Sequence, residues 1–445
     1  MFGGETKLLH EFLSLFFLVF FGFGVKAQEF RVAFVGDPQV DDSLELDFAR
    51  RTVYRELRER RDIDFALIMG DIVNEKPELL SPSKASLDSL PFPYLCIPGN
   101  HDRGRTFNEV FGYGDTTFVA QRRGGKWRLV GDNPVAGFGE NCHRSIKGRG
   151  VRFILMNNIL SGFSGGFTQG QIAWLRKVLS EADPRQRIVL AVHIPLRYCE
   201  GRDSVLSILS SHPRALLVSA HLHQVFRDDV SLPGGAEVEE IGVGATCGSW
   251  WRGVAEPVLV EGADTVWTRG VVPNARMNCG APRGYFVTSF ASDGSYESSY
   301  KRLGRDESDL SSVRRVGDSL YVNVYGGHTA GRVVLELSER NCGSEDGAGG
   351  SAALKRSARV SGKYKLECTR TGTVAPEVQE IIDYNDSVPR RERKARRRDF
   401  IPMRPLSSPH LWVCALPEEL RGKPLCVIVK YSDPTMRFSL RTKAE

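Results

Sequence analysis

At 445 residues the chain exceeds one typical domain, so two folded units are expected. Its 41% hydrophobic and 9% aromatic content excludes a disordered chain and supplies ample material for a core. A net charge of +6 is modest for this length; it suits an anionic substrate or surface without requiring nucleic acid.

The N-terminus carries Lys7 and then an apolar run from Phe12 to Val25, broken only by Ser14 and two glycines. Val25-Lys26-Ala27 offers small residues at the two key positions of a cleavage site. Residues 1–27 therefore read as a secretory signal peptide, with the mature chain exported to a periplasmic or extracellular space. The run is shorter than the roughly 20 residues a bilayer crossing needs, so no stable membrane span is expected after cleavage. Export permits disulfides among the nine cysteines. Cys342 with Cys368, or Cys414 with Cys426, are the candidate pairs, and Cys96 reads as a small buried hydrophobe. With no CxxC pair, a thiolate zinc site is not expected.

From Phe30 to about Tyr300, short apolar runs alternate with helical patterns. Phe30–Gly36, Phe65–Gly70, Tyr94–Pro98, Val151–Met156, Ile188–His193 and Leu216–Ser219 read as buried strands. Leu44–Arg61 reads as one amphipathic helix, and Thr168–Ala182 as a helix opened by a Thr168/Gln171 capping box. Such alternation predicts an α/β domain over residues 28–303. Gly304 to Asp318 reads as a linker. Residues 319–445 read as an almost entirely β unit, a small sandwich. Arg390–Arg398 is strongly basic, but no aromatic residues interleave it, so a solvated face is expected rather than a nucleic-acid site.

Five short motifs each follow a predicted strand, which gathers them at the carboxyl edge of the sheet. They are Gly36-Asp37-Pro38-Gln39, Gly70-Asp71-Ile72-Val73-Asn74-Glu75, Gly99-Asn100-His101-Asp102, Val192-His193-Ile194-Pro195 and Ala220-His221-Leu222-His223. In an extended segment, residues two apart face the same way, so Asp37 with Gln39, and His221 with His223, can share a site. Each motif alone is weak; Asp-Pro is ordinary turn chemistry, and a lone His at a strand end is commonly structural. Together they offer carboxylate, amide and imidazole donors with no thiolate. That set suits manganese, iron or zinc.

The motif order resembles the calcineurin-like metallophosphoesterase superfamily over roughly residues 30–225. The resemblance implies a four-layer αββα sandwich, a smaller mostly β C-terminal domain, two divalent or transition metal ions, and hydrolysis of a phosphomonoester or phosphodiester. Carried over by position, Asp37, Gln39 and His223 would hold the first metal, and Asn100, His193 and His221 the second, with Asp71 bridging. Gln39 stands where most members have His, which resembles a D-P-Q branch with exported members. Gly244–Gly253, Ala281–Tyr285 and Ser408–Trp412 also resemble that branch. Some of its members carry an extra β-domain ahead of the catalytic one, which is not expected here because the mature chain would begin almost at the first strand. His101, oriented by Asp102, is the expected acid for the leaving oxygen or a stabiliser of transition-state charge. Arg103, Arg197 and Arg252 are candidate phosphate clamps. Trp250 and Trp251 read equally as pocket or core. A secreted binding protein that keeps the fold without turnover is the alternative. Partner identity beyond a phosphorylated substrate, and oligomeric state, stay open.

Overall fold

A computed structural model describes residues 28–102, 105–112, 116–123, 126–131, 143–147, 150–248, 251–254, 275–339, 364–396 and 402–444. The expected signal peptide, Arg103, Trp250, Cys142 and Cys342 lie outside these residues.

Two sheets face each other. The first runs in the order Tyr296–Arg302, Gly284–Ala291, Gln28–Val35, Phe65–Ile68, Tyr94–Cys96, its last three strands parallel. The second has eight strands, with Val151–Met156, Arg187–Ala191, Leu216–Ser219 and Glu237–Val243 parallel at its centre. Strands covered on both faces need near-continuous apolar runs, which is what FALI and RIVLA supply. Between the sheets, Phe30, Phe65 and Phe290 meet Phe153 edge-on, with centroids 6.2, 5.1 and 5.3 Å apart. Such T-shaped pairs favour ring geometry beyond simple burial.

Helices cover the outer faces. Ile172, Leu175 and Leu179 of helix Gln169–Ser180, with Val205, Leu206 and Leu209 of Arg202–Leu209, pack on Ile154, Ile188 and Leu190. The Thr168/Gln171 capping box forms both of its reciprocal hydrogen bonds, at 3.3 and 2.8 Å. The segment expected as one helix over Leu44–Arg61 is two, Ser43–Arg51 and Val53–Glu59. Thr52 breaks it: its backbone (φ −112°, ψ −97°) leaves the helical region. Asp42 caps the first of the pair through the Leu44 and Glu45 amides.

The C-terminal unit is mostly β, but it departs from the expected two-layer sandwich. It is one seven-stranded sheet whose first and last strands, Ser311–Val316 and Arg437–Lys443, come back into contact. Its interior holds Val322, Leu335, Trp412, Val429 and Tyr431. Strand Ser311–Val316 lies inside the stretch expected as linker. Helix Pro376–Ser387 interrupts the expected all-β run, burying Val378 and Ile381 beside Leu411. Helix Arg390–Arg396 carries part of the basic run, where Arg393 pairs with Asp386 at 3.2 Å. The disulfide joins Cys368 to Cys414, not either candidate pair, because the strands holding them are hydrogen-bonded neighbours. Cys426 is also disulfide-bonded, and Cys96 is buried as a small core residue. No helix among the described residues is long and apolar enough to cross a membrane.

Candidate metal centre

All five motif loops meet at the carboxyl ends of the parallel strands. The first two run side by side: the Gln39 amide donates to the Asp71 carbonyl at 2.7 Å and that of Val40 to Ile72 at 3.2 Å. The third fits beside Asp71 only because residue 99 is glycine. A Cβ there would sit 2.1 Å from Asp71 Oδ1 and 2.2 Å from Asp71 N. Thr246 secures the first loop by donating its amide and hydroxyl to the Gly36 carbonyl, at 3.0 and 2.9 Å.

Two groups of ligating atoms result, each within 4.8 Å: Asp71, His193 and His221, and Asp37, Asp71 and His223. Asp71 belongs to both. Asp37, Gln39, Asp71, Asn100 and His193 are all essentially sealed from solvent. His193 Nδ1 lies 2.7 Å from the Met69 carbonyl, which can only accept, so Nδ1 carries the proton. Its Nε2 then faces Asn100 Oδ1 (3.1 Å) and Asp71 Oδ2 (3.3 Å). Converging acceptors of this kind are satisfied by a cation. Asp37 Oδ1, Asp71 Oδ2 and both amide atoms of Gln39 are buried without a hydrogen-bond partner among the described residues. Buried polar atoms are otherwise costly to leave unpaired, so these residues fit metal ions.

The electrostatics point the same way. Burial drives His221 down to about 4 and His223 to about 3, with His193 adding to the effect, so both imidazoles are neutral donors. Burial also pushes the Asp37 carboxyl well above its ordinary range, reinforced by Asp71 beside it. His193 is opposed by its own burial, yet Asp71 and Asp37 lift it to about 9. The cavity thus gathers negative charge that attracts a proton to His193, and a metal ion would take over that role.

Residues 30–225 match the family model for calcineurin-like phosphoesterase, and residues 240–343 match that for the C terminal of calcineurin-like phosphoesterase. The chain carries a calcineurin-like phosphoesterase domain. It is 28% identical over 181 residues to the glycerophosphodiester phosphodiesterase GpdQ of Enterobacter lignolyticus, a match covering 38% of this chain and 58% of that one. It is 26% identical over 181 residues to the probable glycerophosphodiester phosphodiesterase GpdQ of Arcobacter nitrofigilis, covering 36% and 57%. The chain thus spans somewhat more than half the length of these relatives. Among solved structures, GAP50, the anchor in the inner membrane complex of Plasmodium, is 13% identical, with a TM-score of 0.37 over 61% of this chain and 84% of that one.

Five of the seven expected ligands, Asp37, Asp71, His193, His221 and His223, fall in these two groups, Asn100 adjoins His193, and Gln39 is held in the same buried first loop. His101 sits half-buried at the rim and donates its backbone N–H to Asp71 Oδ1 at 2.8 Å. Asp102 does not have the His101 ring as its partner, contrary to expectation. Its carboxylate instead accepts from the backbone amides of Ile72 (2.8 and 3.1 Å), Val73 (3.1 Å) and Gly99 (3.0 Å). The carboxylate beside the ring is Glu75, whose Oε1 is 3.9 Å from Nδ1. Arg197 is exposed, with its guanidinium over the rings of Phe226 and Tyr198, 4.7 and 5.3 Å away. Arg252 is buried, its backbone exchanging hydrogen bonds with Arg276. Trp251 belongs to the core, with Arg283 stacked on it at 4.4 Å.

Sequence reasoning missed Asn158. This buried amide accepts from the His193 and Ile194 amides at 3.2 and 3.1 Å and donates to the Ile194 carbonyl at 2.7 Å. It therefore fixes the strand end that carries His193. The only signal available was a pair of asparagines directly after a buried strand, which is also ordinary turn chemistry.

Proposed function

We propose that this protein is an exported, metal-dependent hydrolase of phosphoric esters, with two ions held between Asp37, Gln39, Asp71 and His223 on one side and Asp71, Asn100, His193 and His221 on the other. The observation that carries this reading is the pair of ligand groups sharing Asp71. Manganese, iron and zinc suit the mixed oxygen and nitrogen donors. When bound, such a pair of ions polarises phosphate oxygens and lowers the pKa of water to supply a nucleophile near neutral pH.

The chain's own residues do the rest. Met69 and Asn158 orient His193, and Asp102 holds the Asp71 and Asn100 loops in register. His101, at the open rim, gives a proton to the departing oxygen. Arg197 or Arg103 would meet the phosphate. The relatives' names support a phosphodiester among the possible substrates. Gln39 favours the second reading, a binding protein without turnover, since an amide is a poorer ligand than imidazole.

Metal analysis of the purified chain decides between them together with assays on 4-nitrophenyl phosphate and bis(4-nitrophenyl) phosphate. About two ions per chain with turnover supports the hydrolase. Two ions without turnover on any ester supports the binding protein. Asp71→Asn should abolish both metal pairing and activity, and wild-type turnover in that variant would sink the ligand assignment.

A further inference from the structure

Two residues after His223 begins the strand Val225–Ser231, the edge of the eight-stranded sheet, paired on one side with Glu237–Val243. Its other side docks on the C-terminal unit at Arg227. The Arg227 carbonyl accepts from the Thr329 amide at 2.9 Å, and residues 227 and 328 form a β-bridge. The Arg227 side chain is fully buried, and every nitrogen of its guanidinium is engaged. Nε donates to Glu239 Oε1 at 2.5 Å, Nη1 to Asp433 Oδ2 at 2.9 Å and the Gly326 carbonyl at 3.3 Å, and Nη2 to Thr435 Oγ1. Asp433 is itself fixed by the Tyr431 hydroxyl and by the Thr435 and Met436 amides, each at 2.7 Å. Buried ion pairs add little net stability over apolar packing, because desolvation offsets their attraction. What they fix is register: an apolar contact tolerates sliding, whereas a guanidinium with set partners on several sides allows one position.

The start of this strand supports one side of the metal centre more than the other. Val225 is buried against Gly244, where a Cβ would come within 2.9 Å of Val225 Cγ2. Gly36, at the head of the Asp37 loop, is pressed on Gly244 in turn: a Cβ at residue 36 would lie 2.0 Å from the Gly244 carbonyl oxygen. The strand thus follows directly from His223 and, through Gly244, backs the loop of Asp37. Those two residues with Asp71 form one of the two ligand groups; the other draws Asp71 and His193 from strands elsewhere, with His221 alone from this segment. We propose that Arg227 is a positioning residue of the metal centre, through which the C-terminal unit holds His223 and the Asp37 loop and so sets the affinity of the metal position they share with Asp71. This rests on the metal-dependent reading above. Ligands must sit within about 0.5 Å of their productive geometry, a tolerance that a strand free to slide on its neighbour would exceed.

The test uses the full chain as wild type, Arg227→Lys, the charge-balanced pair Arg227→Met with Asp433→Asn, and Leu337→Val as a control. Leu337 lies in the interior of the same C-terminal sheet, at the end of its strand away from Asp433, so its truncation loosens the fold without touching Arg227. Calorimetric titration with manganese(II) reads the two affinities, and low-temperature electron paramagnetic resonance separates coupled ions from lone ones. In both Arg227 variants the weaker Kd, that of the side carrying Gln39, should rise about tenfold while the tighter one holds, as for residues that support ligands from behind. A lone-ion signal should appear with it, and Leu337→Val should match wild type. Unchanged affinities in both Arg227 variants overturn the proposal, leaving Arg227 a tie between the units. An equal loss at both positions, or the same loss in Leu337→Val, also overturns it, since general loosening then suffices. In the metal-free chain the His223 ring resonance, assigned by its absence in His223→Gln, should shift in the Arg227 variants alone. A wild type that takes up no manganese but shows that selective shift removes the metal-dependent reading while upholding the positioning role.

Discussion

Asp102 gives the sharpest test, because two roles predict different outcomes. Its carboxylate satisfies three buried backbone N–H groups, those of Ile72, Val73 and Gly99. Two loops are tied by it: the one carrying Asp71 and the one carrying Asn100. A buried donor left unsatisfied costs about 1–3 kcal/mol, so Asp102→Ala forfeits about 3–9 kcal/mol. That is comparable with the whole stability of a typical domain, about 5–15 kcal/mol, and this variant is expected not to fold. Asp102→Asn is the informative change. One oxygen can still serve Ile72 and Val73, but the amide NH2 then faces the Gly99 N–H. The loss is one donor, about 1–3 kcal/mol, or roughly 2–12 °C in Tm. With the loops loosened, metal affinity should fall about 10–100-fold, as for other residues that support ligands from behind. Thermal melts and competition with a metal chelator measure both quantities. If Asp102→Asn melts and binds metal like wild type while turnover collapses, Asp102 acts on His101 after all and the clamp is wrong.

Gly99→Ala should empty both metal positions, because the new Cβ would meet the Asp71 carboxylate and backbone near 2 Å (2.1 and 2.2 Å) and backbone cannot yield; elemental analysis of the variant checks this. Stripping the metals should lower Tm markedly, since ions binding only the folded state add stability by mass action; a chelator-treated sample melting like the untreated one would contradict the metal centre. Acid should weaken the junction between the two units through Asp433. Its carboxyl is held below the ordinary 3.8: burial opposes this, but Arg227 at 2.9 Å, Tyr431 and backbone amides prevail. A depressed acid contributes stability that is complete above its unfolded pKa and is lost as pH falls through the folded one. The contribution of Asp433 to the denaturation midpoint should therefore be constant above about pH 4 and be lost below it, a limb that Asp433→Asn should flatten.

The candidate ligand loops were legible because strands buried on both faces announce themselves as apolar runs, and loops at their carboxyl ends follow directly. The Thr168 capping box was legible for the same local reason. Asp102 was misread because its partners are backbone amides, which leave no mark in a sequence; only the neighbouring His101 was visible. Helix Pro376–Ser387 was hidden by Val378, Ile381 and Ile382, residues that also suit a strand. The Cys368–Cys414 bond depends on which strands become neighbours across the C-terminal sheet, a long-range fact. Thr52 offered no local stop signal inside an otherwise continuous helical pattern.

The pairing of Asp37 with Gln39, and of His221 with His223, was expected from extended backbone, and the structure reaches it differently. All four have positive φ, at 33, 39, 64 and 52° respectively, as does Asp71 at 48°. Among the described residues only Glu75 joins them as a non-glycine with this conformation. Each such residue costs on the order of 1–3 kcal/mol, and strain of this kind persists only where the surrounding structure enforces it. Gln39 is the telling member. It is strained, fully buried, and both its amide atoms lack hydrogen-bond partners among the described residues. Strain and desolvation at this position both oppose folding. A residue held against strain and desolvation together makes physical sense if its carbonyl oxygen faces a cation. We therefore propose Gln39 as a ligand of lower affinity at that position rather than an absent one.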